Sequence, residues 1–395
     1  MEGERRYEIV LFGAGGFTGA LTAAYLAEHA PAGTRWALAG REPAKLERLR
    51  ERLSATDPAC ARLPLLSGDA SEPGSMRALA ASSRVVISAV GPYLVHGEPL
   101  VAACAEAGTD YIDLAGESEF VDLMYVRYHE QACANVARIV HSCGFVSAAH
   151  DLGAYFTVQH LPEDVPIRVE AFLRLELGTR ARHSFSAGSM RSALTMYSRP
   201  RQSLIARRTR RAREARRVGR RVRGLSAMPR YERPLSAWVL PAPTIDGHVV
   251  RRSASALARY GPAFSYGQYL VLDRGSAVRV AGGVTAAVLL AQLAPVRNAL
   301  LNRLSSGTGP ALAQREGRWF KLRFVGKAGG HRVVTEVSGG DPGYGEAAKM
   351  LAEAALSLAF DELPPSFGQL TPAVAMGDAL IDRLRRRDIS FSTLV

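Results

Sequence analysis

A glycine cluster set between an apolar run and a helix-forming run, close to the chain start, constrains this protein more than any other feature. Tyr7-Glu8-Ile9-Val10-Leu11-Phe12 reads as a strand, Gly13-Ala14-Gly15-Gly16-Phe17-Thr18-Gly19 follows, and Thr18 to His29 reads as a helix. A second strand-like run, Trp36-Ala37-Leu38-Ala39, ends in Gly40-Arg41. This is the order of a dinucleotide-binding βαβ unit. Glycines let the backbone turn tightly and approach a pyrophosphate, whose charge then rests on free N–H groups at a helix N-terminus. The spacing fits G-x-G-x-x-x-G (13, 15, 19) or G-x-x-G-x-x-G (13, 16, 19) rather than strict G-x-G-x-x-G. Gly13, Gly15, Gly16, Phe17, Thr18 and Gly19 are therefore the first candidate cofactor contacts.

Arg41 refines the choice of cofactor. A site for NAD usually ends its second strand on an acid that binds the ribose 2′-hydroxyl, whereas an arginine there accommodates a 2′-phosphate. Here the strand closes on Gly40-Arg41, and Glu42 reads as part of the first turn of the helix that begins near Pro43. The expected cofactor is NADP(H).

At 395 residues the chain suits two domains. Four cysteines (60, 104, 133 and 143) show no metal-ligand spacing, and no signal peptide is evident. The expectation is a reduced, cytoplasmic protein without a metal. The net charge of +13 is local in origin. Between Arg199 and Arg223 twelve arginines stand against one acid, Glu214, so this arm holds +11 of the total. Its plainest reading is a solvated helical or irregular excursion; an acidic protein partner or anionic lipid would be its functional uses. Nucleic acid fits least, because few aromatics are interleaved.

Alternation of strands and helices continues to about residue 150. Leu63 to Leu66, Arg84 to Val90, Tyr111 to Leu114 and Arg138 to His141 read as strands, with helices between them. Ligands in such sheets lie beyond the carboxyl ends of the strands. Three of those ends carry special or polar residues: Gly91-Pro92-Tyr93, Gly116-Glu117 and His141-Ser142-Cys143. Gly91 and Pro92 join the candidate cofactor contacts, and Asp69 belongs near the adenine end. From Asp151 onward the pattern changes to alternating strands, such as Val169 to Glu176, Phe320 to Phe324 and Arg332 to Val337. The expected architecture is a Rossmann-type doubly wound parallel sheet over 1–150 and an α+β domain with a mixed or antiparallel sheet over 151–338. The arginine arm is an insertion at 199–223, and a helical segment at 339–395 packs back on the core. Val280 to Pro295 is apolar but rich in Gly and Ala. It reads as a buried helix, with an interfacial helix as the alternative.

With these residues in hand, the chain resembles the saccharopine dehydrogenase-like oxidoreductases, and more narrowly their trans-acting enoyl reductase branch. The resemblance rests on the glycine loop, Leu38-Ala39-Gly40-Arg41, Val90-Gly91-Pro92-Tyr93 with His96-Gly97-Glu98, and Tyr111 to Glu117. His141 to Phe145, Ser338 to Glu346 and Thr371 to Leu380 extend it. It implies NADPH-dependent reduction of an enoyl thioester on an acyl-carrier domain in polyketide or fatty-acyl lipid synthesis. An acidic carrier would suit the arginine arm, and peripheral contact with the inner membrane surface would suit a lipid substrate. The chain departs from the family pattern at Gly15, where a threonine is expected, at Val146-Ser147-Ala148-Ala149-His150, where an acid and a proline are expected, and at Phe185-Ser186-Ala187-Gly188-Ser189, in place of a Ser-Gly-Gly-Thr run.

Hydride addition to an enoyl thioester puts charge on the thioester oxygen and calls for a proton at the α-carbon. Tyr93 and His96, after the fourth strand, and His150, after the sixth, are the candidate catalytic residues. Ser147 lies near His150. Alternatives are an imine or carbonyl reductase of the saccharopine-reductase kind, whose α-carboxylate substrate would demand a pocket arginine, and a cofactor-binding lipid-associated protein without turnover.

Overall fold

Seven parallel strands form the first sheet of the computed structural model, which describes residues 5–176, 187–214, 219–225, 228–242, 244–303 and 317–395. They are β1 (Tyr7–Phe12), β2 (Trp36–Gly40), β3 (Leu65–Ser67), β4 (Ser83–Ser88), β5 (Asp110–Asp113), β6 (Arg138–Val140) and, far along the chain, β14 (Gly368–Leu370). Their order is β14-β6-β5-β4-β1-β2-β3, with every pairing parallel. The near-continuous apolar runs of β1 and β4 follow from burial on both faces. Helices α1 (Phe17–His29), α2 (Pro43–Ser54), α3 (Pro73–Ser82), a single turn α4 (Tyr93–His96), α5 (Glu98–Ala107) and α6 (Ser118–Ala134) connect the strands.

Phe145–Val158 forms α7, which carries Ser147, His150 and Asp151, all buried. This helix joins the two halves. It packs on the second sheet, and Asp151 ties it to later elements. The Asp151 carboxylate accepts from Ser253 Oγ at 2.5 Å and from the Ala373 N–H at 2.8 Å. Burial raises its pKa to about 6.

The second sheet is mixed, one of the two forms left open by the alternating runs. It comprises β7 (Ile167–Glu176), β8 (Arg221–Gly224), β9 (Arg230–Glu232), β10 (Ala237–Pro241), β11 (Ala263–Leu272), β12 (Trp319–Ala328), β13 (His331–Gly339) and β15 (Ser390–Thr393), in the order β15-β13-β12-β7-β11-β10-β9 with β8 beside β11. β11 runs parallel to β7 and β8; the other pairings are antiparallel. Helix α10 (Asp246–Ala256) lies between the sheets against α7. The chain after residue 339 supplies strands as well as helices: β14 extends the first sheet, β15 the second, and α13 (Gly345–Phe360) packs on α1. Pro372 to Arg386 is two helices, α14 (Pro372–Ala375) and α15 (Gly377–Arg385), because Gly377 takes φ +46° between them.

Two expectations are corrected here. The arginine arm is not a solvated excursion over its described length. After α8 (Ala187–Tyr197), helix α9 (Pro200–Arg213) lies along α6. Buried Arg210 pairs with Asp122 and Glu214, and Arg199 pairs with buried Glu119 at 2.7 Å. Burying guanidinium stems against a carboxylate-bearing helix is favourable where each charge finds its partner; residues 215–218 of the arm lie outside the described residues. The apolar segment is also not a buried helix. It forms α11 (Arg274–Gln292), followed by α12 (Ala294–Arg303), and Val278 and Leu289 are 69% and 63% exposed. Its composition explains this: glycines and alanines give no broad apolar stripe to bury. Phe185 and Ser186 lie outside the described residues, as do the side chains of Val146, Ala187, Gly188 and Ser189.

Candidate active site

The glycine loop is shaped for a diphosphate. Gly13 adopts φ +86°, and a Cβ there would come within 2.6 Å of Val90 Cγ2 at the end of β4. A Cβ on Gly19 would run into the Gly13 carbonyl, so the first turn of α1 can sit this close to the loop only with glycine. Gly16 is the N-cap of α1, no side chain caps that end, and Gly15 is exposed. Phe17 and Thr18 open the helix, leaving its first amides facing outward. Phe17 is held edge-on by Tyr344, with ring centroids 4.9 Å apart. These residues fit the pyrophosphate of a dinucleotide.

Arg41, at the tip of β2, is exposed and has no ion pair within 4.0 Å among the described residues. Asp69 and His96 feel its charge. The His96 pKa is lowered by partial burial and then by Arg41, with Asp69 opposing. The Asp69 carboxyl is held low by the Ser71 backbone and hydroxyl, with smaller contributions from Arg41 and His96. His96 therefore stands with Arg41 and Asp69, at the end of the site where a 2′-phosphate would lie.

Gly91 and Pro92 follow β4, and Tyr93 is buried behind them. Its hydroxyl donates to the Ser88 carbonyl at 2.9 Å and accepts from the Leu114 N–H at 3.2 Å. Burial raises its pKa well above the ordinary phenol value. Tyr93 thus ties the ends of β4 and β5 together and has spent its one proton on the backbone. Glu117, in the loop after β5, accepts from the Leu94 N–H at 3.1 Å, and burial raises its pKa. His141 Nδ1 lies 2.7 Å from Asp113 Oδ2, and Asp113 also receives the Ala115 and Ser142 N–H groups. Asp113 thereby fixes the tips of β5 and β6.

Beside these tips a cleft of about 430 Å³ opens between α6, α9, α10 and β11. Ser118, Met196, Arg207, Ile245, Arg251 and Tyr266 are among its walls. Ile245 and Val249 belong to the same buried apolar cluster as Tyr93 and Phe120, which joins this cleft to the strand tips. His150, wholly buried, stands behind Tyr266 with Nδ1 2.8 Å from the phenol oxygen. Its Nε2 is 3.5 Å from Asp246 Oδ2. Asp246 accepts from Ser147 Oγ at 3.0 Å and Thr244 Oγ1 at 2.6 Å. Burial lowers the His150 pKa to about 3 and raises the Asp246 pKa to about 7, so near neutrality the histidine is uncharged and the acid is partly protonated.

None of the three candidate catalytic residues lines this cleft; His150 stands behind Tyr266, which belongs to the cleft wall but is only 1% exposed. Tyr266, Asp246, Arg207 and Arg251 were missed by the sequence reading. Tyr266 sits within an apolar strand, Arg207 within a run of like residues, and neither Asp246 nor Arg251 is part of a motif. Among the described residues no cluster of three or more His, Cys, Asp or Glu could hold a metal ion.

Together the two sheets, the glycine loop and the cleft at the strand tips define a nicotinamide-dinucleotide oxidoreductase built like saccharopine dehydrogenase. Residues 9–140 match the saccharopine dehydrogenase NADP binding domain family, and NADP(H) is the cofactor. The fold resembles that of apo saccharopine dehydrogenase (L-Glu forming) from Saccharomyces cerevisiae, with a TM-score of 0.56 at 13% identity over 98% of this chain and 100% of that one. The chain is 34% identical to a trans-acting enoyl reductase of Mycobacterium tuberculosis, covering 96% of each. It is 32% identical to a trans-acting enoyl reductase of Mycobacterium ulcerans, covering 98% of each. The chain belongs to the trans-acting enoyl reductase family.

Proposed function

We propose that this protein uses NADPH to reduce an enoyl thioester presented on the acyl-carrier domain of a separate lipid or polyketide synthase. The observation that carries this reading is Tyr266, set in a cleft beside the strand tips and backed by His150 and Asp246. The loop from Gly13 to Gly19 would hold the pyrophosphate, Arg41 the 2′-phosphate with His96 beside it, and Gly91 and Pro92 the region next to the nicotinamide. When bound, NADPH supplies a hydride for the β-carbon. The protein's part is to place the double bond in the cleft, exclude water and give the α-carbon a proton. In the resting structure His150 Nε2, 3.5 Å from Asp246 Oδ2, has no hydrogen-bond partner; for the transfer, protonated Asp246 would turn to donate to it while His150 Nδ1–H donates to the Tyr266 oxygen and Tyr266 donates to the substrate. The three protons shift by one place, and Asp246 is left as a carboxylate until solvent reprotonates it. Following NADPH oxidation spectroscopically with enoyl, keto and imine substrates tests the reading; consumption with keto or imine compounds but not with enoyl thioesters would replace it.

The exposed helix α11 supports peripheral contact with a lipid surface. Among the described residues it is the one helix long and apolar enough to cross a membrane, with a mean hydropathy of 1.3, and only 11% of that stretch is buried. Lying flat, it would present Val278, Leu289 and Leu290 to the acyl boundary, with Arg274, Arg279 and Arg297 near anionic headgroups. Cosedimentation with anionic vesicles, abolished by Leu289→Asp with Leu290→Asp, is the expected result; equal sedimentation of the two proteins would remove this contact.

A further inference from the structure

Among the described residues, Arg207 and Arg251 are cations without an ion-pair partner. Both line the cleft. Neither lies within 4.0 Å of a carboxylate among the described residues, whereas their sequence neighbours Arg210 and Arg252 both pair with Glu214. Asp122, the acid on the cleft wall, is already taken by Arg210 and by His248, whose Nε2 is 3.1 Å from it. Arg207 Nε is buried with no hydrogen-bond partner. The Arg251 guanidinium is seated closely against two glycines, since a Cβ on Gly224 or Gly247 would stand 3.3 or 3.0 Å from its Nη1. Gln268 Oε1, buried without a partner, borders the same glycine, 3.1 Å from where that Cβ would be.

Burying one guanidinium near another is costly unless a ligand supplies the missing charge. The cost is visible at Arg251, whose pKa falls to about 10 through burial and the proximity of Arg207 and Arg211. The rest of the cleft wall mixes the apolar Met196, Leu204, Leu225 and Ile245 with neutral polar groups such as Ser118, Ser203 and Thr244. The ligand that fits both features has an oxyanion group on an otherwise weakly polar chain.

We propose that Arg207 and Arg251 form a clamp for the phosphate of a phosphopantetheine arm, and so select substrates by the group that tethers them. The proposal rests on the carrier-bound thioester reading given above. Tetrahedral phosphate oxygens can be met by two planar guanidinium forks at once, in charge-assisted hydrogen bonds. The clamp would recognise the tether rather than the acyl chain, which suits an enzyme acting on a chain that another protein carries.

The test is calorimetric titration of the full-length protein, saturated with NADPH, with 4′-phosphopantetheine and with pantetheine. The expected result is binding of the phosphorylated arm at least about tenfold tighter, and Arg207→Gln with Arg251→Gln should abolish that difference while leaving pantetheine affinity unchanged. Equal affinity of the two arms for the unaltered protein overturns the clamp, and needs no variant to be informative. Preference for a simple dicarboxylate over phosphopantetheine, lost in the same double variant, overturns the phosphate assignment in favour of a carboxylate-bearing substrate. A parallel assay with crotonyl-pantetheine separates the two readings. Turnover without any phosphate preference removes the clamp alone, whereas phosphate preference without turnover of any enoyl thioester removes the reductase reading and keeps the anion site.

Discussion

His150 Nδ1 lies 2.8 Å from the hydroxyl of Tyr266, inside the protein, while that same tyrosine forms part of the cleft wall. The pair joins a buried acid, Asp246, to the space beside the strand tips. Tyr266→Phe keeps the ring and removes the terminal proton. It should lower kcat by roughly 10²-fold or more with a small change in KM, the usual scale for loss of a positioned general acid. Tyr93→Phe should behave oppositely. Its hydroxyl serves two backbone groups in the core, so the variant should lose about 1–3 kcal/mol of stability and keep its turnover per folded molecule. Single-turnover NADPH oxidation combined with urea unfolding reads both.

The proposed function puts Arg41, with His96 beside it, at the other end of the cofactor. Arg41→Ala should weaken NADPH binding by about tenfold or more, a loss of about 1.4 kcal/mol, and leave NADH binding unchanged. His96→Ala should raise the Kd for NADPH several-fold with kcat at saturation preserved, because its neighbours are Arg41 and Asp69 and not the cleft. Titration calorimetry with both nucleotides is the check. A His96→Ala enzyme that binds NADPH normally but has lost its turnover would return His96 to the catalytic residues.

The difference between these two ends also explains what could be read in advance. The dinucleotide half is written in consecutive residues: β1, the glycine loop, α1 and the tip of β2 carry their chemistry within one stretch, and strand tips after β4, β5 and β6 follow in order. The antiparallel pairing of β7, β12 and β13 was likewise legible in their alternation, whereas the parallel pairing of β11 with β7 and β8 was not. The cleft half was not. Tyr266 and Asp246 come from β11 and α10, more than ninety residues beyond His150 in the chain, and reach it only through tertiary packing. Proximity in sequence to Tyr93 does not say which way a single helical turn points, so the influence of Arg41 and Asp69 on His96 was not legible either. Charge counting saw the arm's excess but not that Arg210 would be buried opposite Asp122.

Two buried groups with opposite pKa shifts set a pH signature. The Asp246 pKa, raised to about 7, makes the folded state hold a proton the unfolded chain releases near pH 4, so this contribution to stability is lost as pH rises through about 7. The His150 pKa, lowered to about 3, acts the other way: its contribution is present above about pH 6.5 and is lost as pH falls toward 3. Between about pH 4 and 6.5 the two slopes oppose each other. Asp246→Asn should therefore lose stability on acidification below pH 6.5, by at most about 1.4 kcal/mol per unit from this group, more steeply than the unaltered protein does. His150→Asn should lose stability on going from pH 5 to 7. Urea unfolding midpoints across pH 5 to 8 are the measurement, and parallel profiles for all three proteins would contradict the assigned shifts.

Arg210 tests whether the arginine-rich segment is structure or surface. Its guanidinium is 3% exposed and lies between Asp122 and Glu214, which also meet His248 and Arg252. Burial alone would raise the Asp122 pKa, yet His248, Arg210 and Arg252 together hold it below the ordinary value. Arg210→Ala would leave a buried carboxylate short of its main partner, and should cost about 3–5 kcal/mol. Arg208→Ala, two residues earlier and exposed, should fall within about 0.5 kcal/mol of the unaltered protein. If α9 were merely a solvated appendage, the two substitutions would be equally silent in urea unfolding. A large difference between them means that Arg210 docks the arm on α6 while neighbours such as Arg208 face solvent, and leaves Arg207 as the described arginine of that helix with both a buried, unpartnered nitrogen and a place on the cleft wall.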